Sequence, residues 1–268
     1  SNPPPTGGAT PLVLASPHSG VTYPRDMGAA ADLSEASRRS AEDAAMDRLL
    51  AASGSSAAVL IVGLVGRAYV DLNRSPDDLD PVPTADCPEQ APPGLKTLAG
   101  YGVLPRLAGD GTPLYARRLT LEEAQGRIGR VHRPYHHALD ELMQARRARH
   151  GRAILIDWHS MPSRATGPNG PDVVLGDRHG TSCATGLTRR LRALFEALGW
   201  RVALNRPYAG GYATQIWGRP EDGFEAIQIE LSRRLYWDEA AGAPSAGWSR
   251  AQSGLNRVIA ALASDFAA

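Results

Sequence analysis

Arg152-Ala153-Ile154-Leu155-Ile156-Asp157 decides the fold. Four apolar residues run uninterrupted between two charged ones, the pattern of a central parallel strand covered on both faces. Working outward, residues 12–15, 57–62, 67–72, 172–175, 201–204 and 225–231 read as further strands, rich in Val, Ile and Leu. Helical patterns lie between them. Residues 34–53 carry Ser34 as N-cap and an apolar face of Ala44, Ala45, Leu49 and Leu50. Residues 120–150 open on a capping box, Thr120-Leu121-Glu122-Glu123, and Pro134 should kink or restart that helix. Residues 182–198 and the amphipathic stretch 248–266 complete the series. Strands alternating with helices predict an α/β three-layer sandwich around a mixed, largely parallel sheet.

The chain reads as one domain over residues 11–268, with a Pro/Gly-rich, disordered lead-in over 1–10. Residues 75–113 are crowded with proline, aspartate and glycine. An irregular excursion of that length is commonly an active-site cover or a partner surface.

Composition narrows the function classes. The 268 residues are 43% hydrophobic and 21% charged, with a formal net charge of +1. Those values suit a globular protein whose global field favours neither nucleic acid nor a membrane surface. No basic stripe interleaved with aromatics appears, and no apolar run is long enough to span a bilayer. Cys87 and Cys183 match no zinc or redox spacing and read as two reduced thiols, which points to a cytoplasmic protein. A homo-oligomer is compatible with this composition.

In α/β sheets, active sites gather at the carboxyl ends of strands. Four short motifs fall there: Ser16-Pro17-His18-Ser19-Gly20, Asp71-Leu72-Asn73-Arg74, Asp157-Trp158-His159-Ser160 and Gln228-Ile229-Glu230-Leu231. A catalytic zinc takes three protein ligands and leaves a position open. His18 and His159 are candidates for two of them. Asp43 leads for the third, followed by Glu42, with His136 as the histidine option. Glu230, in an apolar strand, is a candidate general base and acid; the plainer reading is a core ion pair with Arg233 or Arg234. Asn73 and Arg74 offer an amide and a planar donor fork suited to a carboxylate. The plainer reading of Arg74 is a turn closed on Asp77 or Asp78. Residues 205–212, glycine-rich and carrying tyrosines, read as a flexible loop with Tyr212 as a hydrogen-bond donor. His132 and His137 read as helix-packing or solvated histidines.

Taken in order, these segments resemble the N-formylglutamate amidohydrolase family. The resemblance rests on Ser16 to Gly20 with Tyr23-Pro24, Tyr69 to Arg74, Arg133-Pro134-Tyr135-His136, and Asp157 to Pro162. It continues through residues 205–214, Gln228 to Leu231 and Leu235 to Glu239, so it spans roughly residues 12–265. It implies a zinc-dependent hydrolase of the phosphorylase/hydrolase-like fold, related in architecture to zinc carboxypeptidases. Asn73-Arg74 is similar to the carboxylate-binding pair of those peptidases, His159 to their second zinc histidine, and Glu230 to their catalytic glutamate. They carry a glutamate ligand three residues after the first histidine, where this chain has Val21, so the third ligand comes from elsewhere. The implied reaction is removal of the formyl group from N-formyl-L-glutamate, giving formate and L-glutamate, a late step in histidine catabolism. Tyr212 and Arg233 are candidates for a second substrate carboxylate. The alternatives are a related metalloamidase acting on another N-acyl amino acid or small peptide, and a non-catalytic carboxylate-binding protein on the same fold.

Overall fold

The structure, a computed structural model, describes residues 10–51, 58–85 and 94–266. The expected lead-in, apart from buried Thr10, and Cys87 lie outside them. The chain divides into two compact units: Ser1–Ser16, Asp43–Ile61 and Asp140–Ala268 form the first, Pro17–Glu42 and Val62–Leu139 the second.

The first unit is built on a six-stranded sheet. Its strands are β1 (Leu12–Ser16), β2 (Val59–Val62), β3 (Ala153–Met161), β4 (Val173–Gly176), β5 (Val202–Leu204) and β6 (Phe224–Ser232), in the order β2-β1-β3-β6-β4-β5. β1, β3 and β6 run parallel, β4 pairs antiparallel with β6, and β5 runs parallel to β4. The sheet is therefore mixed and mostly parallel, as the alternation of elements predicts. β3 runs farther than expected. Its nine buried residues extend through His159 to Met161, so His159 lies within the strand and not at its end.

Period-two alternation gives the sheet two faces of different character. Leu12, Leu14, Ile154, Ile156, Trp158, Val173, Leu175, Ile227, Ile229 and Leu231 belong to one apolar core. Helices α2 (Met46–Ala51), α6 (Thr185–Glu196) and α8 (Trp248–Ser264) contribute Leu49, Leu50, Leu191, Phe195, Leu255 and Ile259 to it. The opposite face carries Asp157 and His159 on β3, beside Gln228 and Glu230 on β6 at the same register. Helix α7 (Tyr212–Trp217) packs on β3 and β6, with Trp217 against Phe224 of this second face. Gly176, paired with Gln228, lets the 209–210 backbone approach: a Cβ there would sit 2.7 Å from the Ala209 carbonyl carbon.

The second unit has a core of its own around Tyr69, Leu72, Val103, Leu104, Leu114, Leu119 and Ile128. It contains α1 (Glu35–Arg39), α3 (Leu95–Leu98) and α4 (Leu121–Arg127), and α5 (Arg133–His150) begins in it. The Thr120 capping box is present. Two expectations are corrected. Residues 67–72 form turns instead of a strand, because Tyr69 N–H bonds back to Gly66 and Arg67 folds onto Asp71. The helix expected over 34–53 is two helices. Ser34 caps the first as expected, and Ala45, at φ 51°, separates it from α2. Beside Pro134 the long helix changes form: α4 passes through a π turn, Ile128–His132, and α5 starts at Arg133. Proline has no amide hydrogen for the i→i−4 bond, and the wider turn absorbs the gap.

Candidate metal centre

On the polar face of the sheet, His159 is held by two carboxylates. Its Nδ1 lies 3.0 Å from Asp43 Oδ2 and its Nε2 2.8 Å from Asp157 Oδ2, all three residues being buried. Burial disfavours an imidazolium, but the charges and hydrogen bonds of Asp157 and Asp43 outweigh it and hold the His159 pKa well above the usual range. Ser160 Oγ donates to the second oxygen of Asp43 at 3.1 Å, and Arg233 Nε donates to Ser160 Oγ at 3.1 Å. Asp43 reaches His159 from the break between α1 and α2, where the backbone leaves helical geometry. Gln228 Nε2 donates to Glu230 at 2.8 Å, beside His159 in register.

In the second unit, His18 follows β1 by two residues and is buried. Its Nε2 lies 2.7 Å from Asp71 Oδ1. Asp71 is itself fixed: Oδ1 also accepts from the Asn73 N–H and Oδ2 from Arg67. Desolvation would raise the Asp71 pKa, but Arg67, His18 and Arg74 together hold it well below the usual carboxylate range. The turn after His18 requires glycine, since a Cβ on Gly20 would lie 2.5 Å from the Leu64 backbone.

Among the described residues, one group of His, Cys, Asp or Glu side chains could hold a metal ion: His18, Asp43 and His159. All three are buried, and one ligand atom of each lies within 4.8 Å of the others. Two imidazoles and a carboxylate form a donor set suited to zinc. Each histidine also rests one ring nitrogen on a second buried carboxylate, Asp71 or Asp157. Such backing fixes the tautomer of a ligating histidine and raises its basicity.

Of the other candidate ligands, Glu42 turns its carboxylate to Tyr23 Oη and Arg39 Nε, and His136 Nε2 meets the Leu72 carbonyl. Arg74 is half-buried. Its Nε donates to the Tyr101 carbonyl and its Nη1 to the Asn73 carbonyl, not to Asp77 or Asp78. Asn73 is buried. Arg234 pairs with Asp172, while Arg233 serves Ser160 and approaches Glu239 at 3.9 Å. Tyr212 is half-buried at the start of α7. The 205–212 loop is tied at its first residue, where the Asn205 side chain accepts from the Asp177 and His179 N–H groups. The residues not foreseen are Asp71, Asp157 and Ser160. Asp157 had a signal, because a carboxylate two residues before a strand histidine shares its face; Asp71, 53 residues from His18, had no local one.

The profile of the N-formylglutamate amidohydrolase family matches residues 10–237. N-formylglutamate deformylase of Pseudomonas aeruginosa is 31% identical over 240 residues, covering 87% of this chain and 85% of that protein. The Pseudomonas putida enzyme of the same name is 30% identical over 240 residues, covering 87% and 84%. The crystal structure of N-formylglutamate amidohydrolase from Ralstonia eutropha JMP134 superposes with a TM-score of 0.91 at 36% identity, covering 97% of this chain and 95% of that one. A gene product of Agrobacterium tumefaciens, Atu2144, shares the fold, with a TM-score of 0.62 at 21% identity over 96% and 90% of the two chains. An α/β sheet with these relatives defines an amidohydrolase. The chain belongs to the N-formylglutamate amidohydrolase family. Among the described residues no helix is long and apolar enough to cross a membrane.

Proposed function

We propose that the protein hydrolyses N-formyl-L-glutamate to formate and L-glutamate with a zinc ion held by His18, Asp43 and His159. The buried His/Asp/His group, each histidine backed by a carboxylate, carries this reading. Zinc, when bound, supplies Lewis acidity: it polarises a carbonyl oxygen and makes water a nucleophile near neutral pH.

The chain's own groups do the rest. Glu230 accepts a proton from the attacking water and returns it to the departing nitrogen as the C–N bond breaks. Its position beside His159 in the β3–β6 register, with Gln228 bonded to one oxygen, supports that role. Asp157 and Asp71 orient the two imidazoles. Asn73 and Arg74 hold one substrate carboxylate; the Arg74 guanidinium hydrogen-bonds to the neutral carbonyls of Tyr101 and Asn73, and its planar donor fork suits an anion. Tyr212 and Arg233 are the groups for the second carboxylate. The architecture is that of the phosphorylase/hydrolase-like, zinc-carboxypeptidase-like enzymes.

Formate release from N-formyl-L-glutamate, measured on protein of known metal content before and after chelation, tests the proposal. Turnover lost with the metal and restored by zinc supports it. Zinc-loaded protein inert to this substrate but active on another N-acyl amino acid moves the assignment to that substrate. Protein that takes up no metal refutes it.

A further inference from the structure

We infer that His132 and His136 are positioning residues that clamp the Asn73–Arg74 segment in its binding geometry. The inference rests on reading that pair as the grip for a substrate carboxylate. His132 Nε2 lies 2.9 Å from the Arg74 carbonyl oxygen, and His136 Nε2 lies 2.8 Å from the Leu72 carbonyl oxygen. A carbonyl can only accept, so both imidazoles carry their hydrogen on Nε2 and donate. Two histidines four residues apart thus hold the two carbonyls that flank Asn73. The carbonyl between them, of Asn73 itself, accepts from Arg74 Nη1. Three successive backbone carbonyls are therefore spoken for, and the segment has little freedom to rotate.

The helix supplies this clamp by way of its irregularity. His132 is the last residue of the π turn and His136 lies in the first turn of α5. Their rings lie 4.3 Å apart at an interplanar angle of 32°, and each meets one carbonyl of the segment. Burial lowers the His132 pKa, which keeps its ring a neutral donor. A neutral ring at His132 matters here, because an imidazolium beside Arg74 would compete for the same anion. Arg74, for its part, has Nε and Nη1 fixed by the Tyr101 and Asn73 carbonyls, so the direction of its charge follows the backbone the histidines hold.

The test is steady-state kinetics of zinc-loaded wild-type protein, His132→Leu, His136→Leu, His132→Gln, His136→Gln and Arg74→Ala with N-formyl-L-glutamate, each variant checked by thermal melting. The Leu variants should raise KM about three- to tenfold, the scale of one neutral hydrogen bond, while kcat stays within about twofold. The Gln variants, whose amide N–H reaches nearly as far as Nε2–H, should restore KM. In the Arg74→Ala background the Leu substitutions should raise KM no further. Should a Leu variant fail to fold, His→Asn, whose amide falls short of the carbonyl, replaces it. If Arg74→Ala raises KM but the histidine variants leave it unchanged, the clamp is refuted and the carboxylate grip stands. If the histidine variants lower kcat and KM effects persist without Arg74, their role is merely structural and the inference fails. If Arg74→Ala itself leaves KM unchanged, the grip falls and takes the clamp with it.

Discussion

Asp157→Asn isolates the second carboxylate behind His159. The side chain keeps its shape, and its oxygen can still accept from Nε2–H, which lies 2.8 Å away in a buried setting. What it loses is charge. A hydrogen bond to a charged group contributes about 1.5–3 kcal/mol and a neutral one about 0.5–1.5. The difference, about 1–2 kcal/mol, corresponds to a metal affinity weaker by roughly five- to thirtyfold. That agrees with the usual cost, about 10–100-fold, of removing the partner of a ligating histidine.

A proton opposes the effect. Asp157 and Asp43 hold the His159 pKa well above its usual range in the metal-free protein, so the ion must displace a proton to reach Nδ1. Apparent affinity therefore rises with pH until that raised pKa is passed. Asp157→Asn lowers the barrier to proton release as it weakens the ligand, so the loss is largest at high pH and shrinks as pH falls. Competition with a chromophoric chelator across pH, with circular dichroism as the folding check, reads both trends. An affinity unchanged at high pH would refute the reasoning and mean that His159 offers Nε2, not Nδ1, to the ion.

Glu230→Gln should retain zinc and lose at least about a hundredfold in kcat, the scale of general acid–base catalysis; near-normal formate release would remove Glu230 from the mechanism. Arg127, 1% exposed, donates to the carbonyls of Asp26 and Met27 and to Tyr115 Oη, and its guanidinium carbon lies 4.5 Å from the Tyr69 ring centroid. Arg127→Met strands those carbonyls and should cost about 2–4 kcal/mol in urea unfolding; a loss below about 1 kcal/mol would contradict that account. Asp172 is partly desolvated, but the Arg201 N–H and Arg234 lower its pKa below the ordinary 3.8. A depressed carboxylate stabilises the fold above its unfolded pKa and loses that contribution as pH falls through the folded one. Asp172→Asn should thus be less stable at neutral pH and show a shallower loss below about pH 4; parallel acid profiles would exclude the effect.

The sheet was legible because buried parallel strands write themselves as apolar runs, and 153–156 is such a run. Its continuation to Met161 was not, since Asp157, His159 and Ser160 interrupt the apolar pattern; pairing with β6 along the whole length carries the strand through them. The same override acts at 67–72, where Tyr69, Val70 and Leu72 are buried as a strand would be, yet local turns and the Arg67–Asp71 pair take the backbone.

Asp43 shows why the site was harder to read than the fold. Residues 41–45 are three alanines, a glutamate and an aspartate, and helix propensity runs straight through them. In a continuous helix, Asp43 would sit on a regular face with its backbone bonded to its own turn. In the structure Ala45 takes the left-handed conformation, a cost of about 1–3 kcal/mol for a non-glycine residue. That strain lies two residues from a carboxylate that reaches Nδ1 of His159 at 3.0 Å and accepts from Ser160. A sequence shows which residues could serve as ligands; it does not show where a chain with every propensity for helix gives the helix up. The break is where tertiary contacts outbid propensity, and here the bidder is the buried polar network that Asp43 joins.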